Sequence, residues 1–289
     1  MSPQLNNPKP NSPEPNSLEL RALSRAELRV GALVGCGGEA SVEEVSWAEG
    51  TGYLKRPLPE LSQARAAALL CAELEALSAL DRSRERGGPR LIARLLTETG
   101  TLAGLILRPL GALNARALVK LGEPLRPHEV AWLLCGVLTE LERARRAGLV
   151  CHGDLRRSNL VIDERAELWL IDWSHATPQR ETTQLAASEQ LWAQELTALR
   201  ALWGELVTGQ AMSEGPALER RALISAGWPR AWAEAMEALK RGSITPQALP
   251  ALKASVWGGA SAVMSGEAPQ GLSAAARAWI SQRLEGAQR

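Results

Sequence analysis

The sequence predicts an α+β protein, with strands gathered around a single helix in the first hundred-odd residues and helices over most of the remainder. Three observations predict it. Short apolar runs separated by glycine turns fill the stretch from Leu28 to Leu107. One interruption, Ser62 to Leu80, keeps its apolar residues at three-and-four spacing, which puts them on one face of a helix. From Pro127 onward that helical spacing dominates. With 289 residues the chain is long enough for one large domain or two small lobes around a packed core.

Residues 1–17, rich in Pro, Asn and Ser, hold too little apolar surface to offset the entropy of ordering and read as a disordered tail. Leu28 to Val34 and Ser41 to Ala48 read as two strands around the turn Gly35-Cys36-Gly37-Gly38. A second glycine turn leads into Tyr53-Leu54-Lys55, a third strand that Pro57 and Pro59 end. The helix from Ser62 to Leu80 carries Leu69, Leu70, Glu73, Leu74, Leu77 and Leu80 in register. Leu91 to Leu96 and Leu102 to Leu107 form a hairpin across Thr99-Gly100. Pro127 to Ala147 is an amphipathic helix, with Pro in its first turn and Gly148 just past its end. Two short strands follow, Leu160 to Ile162 and Leu168 to Ile171. Helices are then expected over Leu191 to Val207, Pro216 to Ala226, Pro229 to Lys240 and Pro246 to Val256, with a last one over Ser273 to Leu284.

Composition removes several functional classes. Lys plus Arg is 33 and Asp plus Glu is 32, so the net charge is +1, and no broad basic surface is available to hold nucleic acid. No run of 18 or more apolar residues is present, so no membrane-spanning helix is expected. The N-terminus lacks the basic-then-apolar pattern of an export signal, and the expected location is the cytoplasm. The four cysteines are scattered without a CxxC pair and read as reduced thiols, neither a zinc site nor a disulfide framework. There is no Phe and one Tyr against ten Trp, so Leu and Ala must do the packing that Phe usually shares.

The chemistry lies in a few short segments. Asp154 and Asn159 stand five residues apart on the loop between a long helix and a strand, and Asp172 ends the next strand. Three oxygen-bearing side chains can therefore converge from adjacent loops, a donor set that suits Mg²⁺ completed by phosphates and water. Gly35, Gly37 and Gly38 let a backbone approach phosphates closely. The loop runs into a strand, Ser41 to Trp47, which disfavours a dinucleotide-binding fold, and no Gly-Lys-Ser/Thr marks the other common phosphate loop. Lys55 ends a strand and Glu73 sits on the following helix; by themselves both read as surface residues, and a lysine turned inward and held by a carboxylate is the alternative that would reach phosphate oxygens.

Taken in order, the glycine loop, strand lysine, helix glutamate, His-x-Asp-x4-Asn and strand aspartate resemble the protein kinase superfamily over about Leu28 to Val256. The stretch from Glu195 to Gly209 is similar to the buried central helix of that family's second lobe. The resemblance implies a bilobal protein-kinase-like fold, with an antiparallel N-lobe sheet and one helix over residues 18–109, a mainly helical C-lobe over 110–256 and a C-terminal tail over 257–289. It also implies transfer of the γ-phosphoryl of ATP to a hydroxyl with Mg²⁺. Gly35, Gly37, Gly38 and Val42 would cover the nucleotide, and Lys55, held by Glu73, would meet its phosphates. Asn159 and Asp172 would hold the metal, Asp154 would take the acceptor's proton, and Arg156 would steady the transferring group. Pro109 to Leu113 would be the hinge beside adenine.

The sequence departs from the family's pattern in four places. Gly153 stands where many protein kinases have Arg, and Arg156 where Ser/Thr kinases usually have Lys. Trp173-Ser174 replaces Phe-Gly, and no Ala-Pro-Glu follows before Glu195. His-Gly-Asp and Ile-Asp-Trp are also common in aminoglycoside-type phosphotransferases, and Gly38-Glu39-Ala40 is similar to small atypical kinases linked to tRNA modification. The expected acceptor is a protein Ser/Thr hydroxyl. A small-molecule hydroxyl and a nucleotide-binding pseudokinase remain as alternatives, and the oligomeric state is open.

Overall fold

The computed structural model describes residues 20–82, 89–110, 112–114, 125–163, 167–179, 185–208, 224 and 227–263. The expected tail over 1–17 and the expected last helix from Ser273 lie outside them, as does the expected helix Pro216 to Ala226 save Ile224.

Six strands form the first sheet: β1 (Arg21–Ser24), β2 (Arg29–Cys36), β3 (Ala40–Trp47), β4 (Gly50–Pro57), β5 (Leu91–Leu96) and β6 (Leu102–Leu107), in the order β1-β5-β6-β4-β3-β2. Every pairing is antiparallel except β1 with β5. The sequence reading gives five of these strands and misses β1, which has one buried anchor, Leu23. Within β3 and β4, Val42 lies opposite Lys55, so both stand at one register position of the sheet. Helix α1 (Gln63–Arg82) buries Leu69, Leu70, Glu73, Ala76, Leu77, Ala79 and Leu80. The stripe is apolar except at Glu73, and a buried carboxylate needs a partner.

The helical lobe is built on α2 (Pro127–Arg146), whose Val130, Leu134, Val137, Leu138 and Leu141 are buried. Its start is fixed by Pro127 and by Glu129, whose Oε2 accepts the Arg126 N–H at 2.7 Å. Gly148 ends it in the left-handed region at φ 85°. The chain then forms β8 (Leu149–Cys151), β9 (Leu160–Asp163), β10 (Leu168–Leu170) and β11 (Thr177–Pro178). With β7 (Ala112–Asn114), β9 and β10 make a three-stranded antiparallel sheet, while β8 pairs with β11. Asp154 and Asn159 thus sit between β8 and β9, and Asp172 just after β10.

Among the described residues three long helices follow: α3 (Leu185–Thr208), α4 (Arg230–Lys240) and α5 (Leu249–Val263). Helix α3 begins six residues before the expected Leu191, and α5 runs past the expected lobe end at 256. Trp203 and Trp232 meet edge to face with centroids 5.7 Å apart, and Trp232 donates its indole N–H to Val256 O at 2.8 Å. Trp192 does the same to Ile244 O at 2.8 Å. Trp192 and Trp232 are thus buried and also tied to backbone. Among the described residues no helix is long and apolar enough to cross a membrane.

Candidate active site

All ten residues singled out from the sequence line one cleft of about 920 Å³: Gly35, Gly37, Gly38, Val42, Lys55, Glu73, Asp154, Arg156, Asn159 and Asp172. Leu107, Arg108 and Leu110 line it as well, beside the expected hinge, of which Gly111 lies outside the described residues.

Lys55 is the centre of the charge arrangement. Its Nζ lies 2.6 Å from Glu73 Oε2 and 2.6 Å from Asp172 Oδ1. Lys55 is 7% exposed and Glu73 2%. Burial alone would pull the ammonium down, but the two carboxylates more than offset it, so Lys55 lies above its ordinary range and stays charged. Burial pushes Glu73 up, against the pull of Lys55. Asp172 also feels burial, yet Lys55 and the Ser174 hydroxyl take it down to about 2. Ser174 Oγ donates to Asp172 Oδ1 at 2.7 Å.

Asp172 has φ 65°, positive φ that no other described non-glycine residue shows. Asp tolerates that region better than most residues. Such strain persists only where the surroundings fix it, and here they do. Trp173, fully buried, donates its indole N–H to Leu170 O at 3.0 Å. Ile171 N–H reaches Asn159 O at 3.0 Å, which ties the strand leading to Asp172 onto the loop of Asn159.

That loop is organised from below. His152 is fully buried, its Nε2 lies 3.0 Å from Ile171 O, and Asp154 N–H points to its Nδ1 at 3.3 Å. A carbonyl only accepts and an amide only donates, so the ring is the neutral tautomer protonated on Nε2. Burial takes its pKa down to about 4, which agrees. Glu195 on α3 accepts the N–H groups of His152 at 2.9 Å and Gly153 at 3.1 Å, and burial raises it to about 7. Gly153 has φ 81°, and a Cβ there would fall 2.3 Å from His175 O. No side chain fits, so the arginine common at this position in protein kinases has no room. Asn159 Nδ2 donates to Asp154 O at 2.8 Å and to Asp154 Oδ2 at 2.9 Å. Arg156 Nη2 lies 2.9 Å from the same Oδ2. Asp154 Oδ1 takes no hydrogen bond from the described residues.

The donor set fits a small hard cation. Asp172 Oδ2 takes no hydrogen bond from the described residues, and Asn159, whose amide N–H₂ is spent on Asp154, turns to the same cleft a carbonyl oxygen that accepts only a long bond from Ser158 Oγ, at 3.4 Å. Among the described residues no cluster of three His, Cys, Asp or Glu is arranged to hold a metal by itself. One carboxylate and one amide, completed by phosphates and water, is what Mg²⁺ requires. The four cysteines are free.

The sequence reading assigns no site role to Ser174, His175 or Glu39, all of which line the cleft. Glu39 follows the glycine run directly, and its charge there is a signal that marks it. Nothing in the sequence pairs it with His175, 136 residues away.

Compared with known proteins, residues 19–180, more than half of the chain, match the model of a family described as the phosphotransferase enzyme family. The match includes every cleft residue named above except Glu195, which stands behind the cleft on α3. No curated protein matches the chain.

Proposed function

We propose, for a chain that belongs to the phosphotransferase enzyme family, that the phosphoryl donor is ATP with Mg²⁺ and the acceptor a hydroxyl group. One observation carries this reading. A charged lysine is buried and fixed at 2.6 Å by two carboxylates in a cleft that also collects a glycine turn, an aspartate and an asparagine. Lys55 would neutralise phosphate oxygens, and the glycine turn from Gly35 to Gly38 would cover them. Asn159 and Asp172 would hold Mg²⁺, which when bound neutralises charge on the phosphates. Asp154 would act through Oδ1. The acceptor hydroxyl gives that oxygen its proton while its own oxygen bonds to phosphorus and the bond to ADP breaks. Asn159 and Arg156, on Oδ2, orient the carboxylate for this. Little covalent chemistry is asked of the protein; positioning and charge do the rest.

The acceptor reading shifts from the protein hydroxyl expected from sequence toward a small-molecule hydroxyl. Only residues 173–184 separate Asp172 from α3, and two of them, Thr177 and Pro178, are already paired to β8. That leaves a short platform for a peptide, and Gly153 leaves no arginine to read a phosphate on it.

The experiment is calorimetric binding of Mg-ATP together with transfer from labelled ATP to an aminoglycoside, to generic protein and to the chain itself. Asp154→Asn should lower turnover by about 10²–10⁴, the usual worth of a positioned base, with nucleotide affinity near wild type. Asp172→Asn should weaken both, because it removes a charged ligand from a hard cation. Wild-type chain that binds nucleotide, phosphorylates nothing and is indistinguishable from Asp154→Asn would replace the enzyme with a nucleotide-binding module.

A further inference from the structure

The glycine turn between β2 and β3 has little to hold its tip. A Cβ on Gly35 or Gly38 would meet nothing within 4 Å, so no packing steadies the turn there. Gly37 N–H closes it onto Ala40 O at 2.9 Å. Glu39 is the exception. Its carbonyl accepts the Leu58 N–H at 2.9 Å. Its Oε1 accepts from Arg65 Nη2, on the first turn of α1, at 2.7 Å, and its Oε2 from His175 Nε2 at 2.7 Å. A carboxylate only accepts, so His175 carries a proton on Nε2 whatever its charge. His175 in turn lies against Gly153, beside Asp154. Glu39 and His175 both line the cleft, so their contact crosses it from the sheet lobe to the helical lobe.

We propose that Glu39 is a strap that closes the glycine turn over the phosphate end of the cleft and sets how fast nucleotide enters and leaves. The inference rests on the reading of this cleft as the nucleotide site. Both forks of one carboxylate are in use, one to α1 and one to the segment after Asp172, so releasing it removes both side-chain anchors at once and leaves the turn held only by backbone bonds within the sheet lobe. Arg65 holds the carboxylate below its usual range, so it keeps its charge at neutral pH. The strap is built to open. The side chains of Glu39, Arg65 and His175 are 34%, 50% and 32% exposed, so water and salt compete with each contact. Exposed pairs of this kind are individually weak, which suits a device that must open at every exchange. A negative group at the tip also opposes a triphosphate beneath it, so Glu39 is compatible with bound nucleotide only while Arg65 and His175 engage it.

The test uses the full chain and a fluorescent ADP analogue with Mg²⁺, its release followed after mixing with excess ATP. Glu39→Ala and His175→Ala should each speed release roughly threefold to tenfold, with association faster too and affinity changed less. Arg65→Lys, which keeps a donor, should stay within about twofold of wild type. Raising salt should speed release from wild type more than from Glu39→Ala. A second readout needs no nucleotide: amide hydrogen exchange over residues 35–40 should be faster in Glu39→Ala than in wild type. Unchanged release with unchanged exchange overturns the strap. If the wild-type chain binds no analogue, the donor assignment fails instead, and the exchange measurement alone decides whether Glu39 closes the turn.

Discussion

Replacing Gly153 by Ala separates two costs that are usually merged. The residue stands at φ 81°, where an L side chain costs about 1–2 kcal/mol. Its new Cβ would also lie 2.3 Å from His175 O and 3.0 Å from His175 C. Those are backbone atoms, so the clash cannot be relieved by turning a side chain. Shifts of this kind in packed regions cost about 1–3 kcal/mol. The stiffer unfolded chain of an Ala variant returns about 0.4–1 kcal/mol, leaving a net loss of roughly 2–4 kcal/mol. Gly148 is the control. It has φ 85°, but a Cβ there meets nothing within 4 Å. Gly148→Ala should therefore show the conformational cost alone, about 1 kcal/mol. At about 2–4 °C per kcal/mol for chains of 150–250 residues, Gly153→Ala should melt roughly 4–15 °C below wild type and Gly148→Ala only a few degrees below. Thermal melts followed by circular dichroism decide it. Equal losses for the two variants would refute the contact between Gly153 and His175, and with it the account of why this position carries no arginine.

The acid side of the stability profile should depend on a pair of opposing groups. Glu195 is raised from 4.5 to about 7, so its stabilising share is full below 4.5 and is lost as pH rises through about 7. His152 is lowered from 6.5 to about 4, so its share is present above 6.5 and is lost as pH falls through about 4. Between pH 4.5 and 6.5 the two slopes oppose each other. Glu195→Gln should uncover the histidine, and its stability should fall toward acid more steeply than wild type by up to about 3 kcal/mol, at 1.36 kcal/mol per pKa unit. Denaturant unfolding across that window checks this, and parallel profiles would remove the assignment. Lys55→Met strands the buried Glu73 and should cost about 3–5 kcal/mol near neutral pH. The loss should shrink toward acid, because Glu73, raised by burial, is stabilising when protonated and loses that share as pH rises. The rise in melting temperature that Mg-ATP gives wild type, worth about 2.7 kcal/mol at a hundred times its dissociation constant, should be largely absent from this variant.

What was legible in the sequence follows from how far apart the interacting residues lie. Leu91–Leu96 and Leu102–Leu107 were bounded to the residue, since both strands and their turn are one local unit. Strand β1 escapes a sequence reading because Arg21-Ala22-Leu23-Ser24 offers one buried apolar residue and takes its partner from β5, some seventy positions on. The start of α3 escapes it as well, because the first residues, from Leu185, are good helix formers without an apolar stripe. In the cleft, residue type and order were enough to bring Lys55, Glu73, Asp154, Asn159 and Asp172 to one place. They are not enough to show that His152 is neutral, that Glu195 supports its loop, or that His175 leaves no room for a Cβ at Gly153. Those facts depend on burial and on backbone atoms, which carry no signature in a list of residues.

The exchange of Phe for Trp gives the molecule an unequal optical label. With no Phe and one Tyr, near-ultraviolet absorption and emission come almost entirely from ten indoles, and among the described residues only Trp47 lies in the sheet lobe. Fluorescence will therefore follow the helical lobe and be nearly blind to loosening of the sheet. Trp173 is the most informative of them. It is fully buried, sits one residue from Asp172 and meets the His152 ring edge-on at 4.5 Å. Protonated imidazole quenches indole emission more strongly than the neutral ring, so acid titration of His152 should be visible as quenching at Trp173. A Trp173→Phe difference spectrum would isolate that signal, giving a native probe of the loop that carries Asp154 and Asn159 with no dye attached.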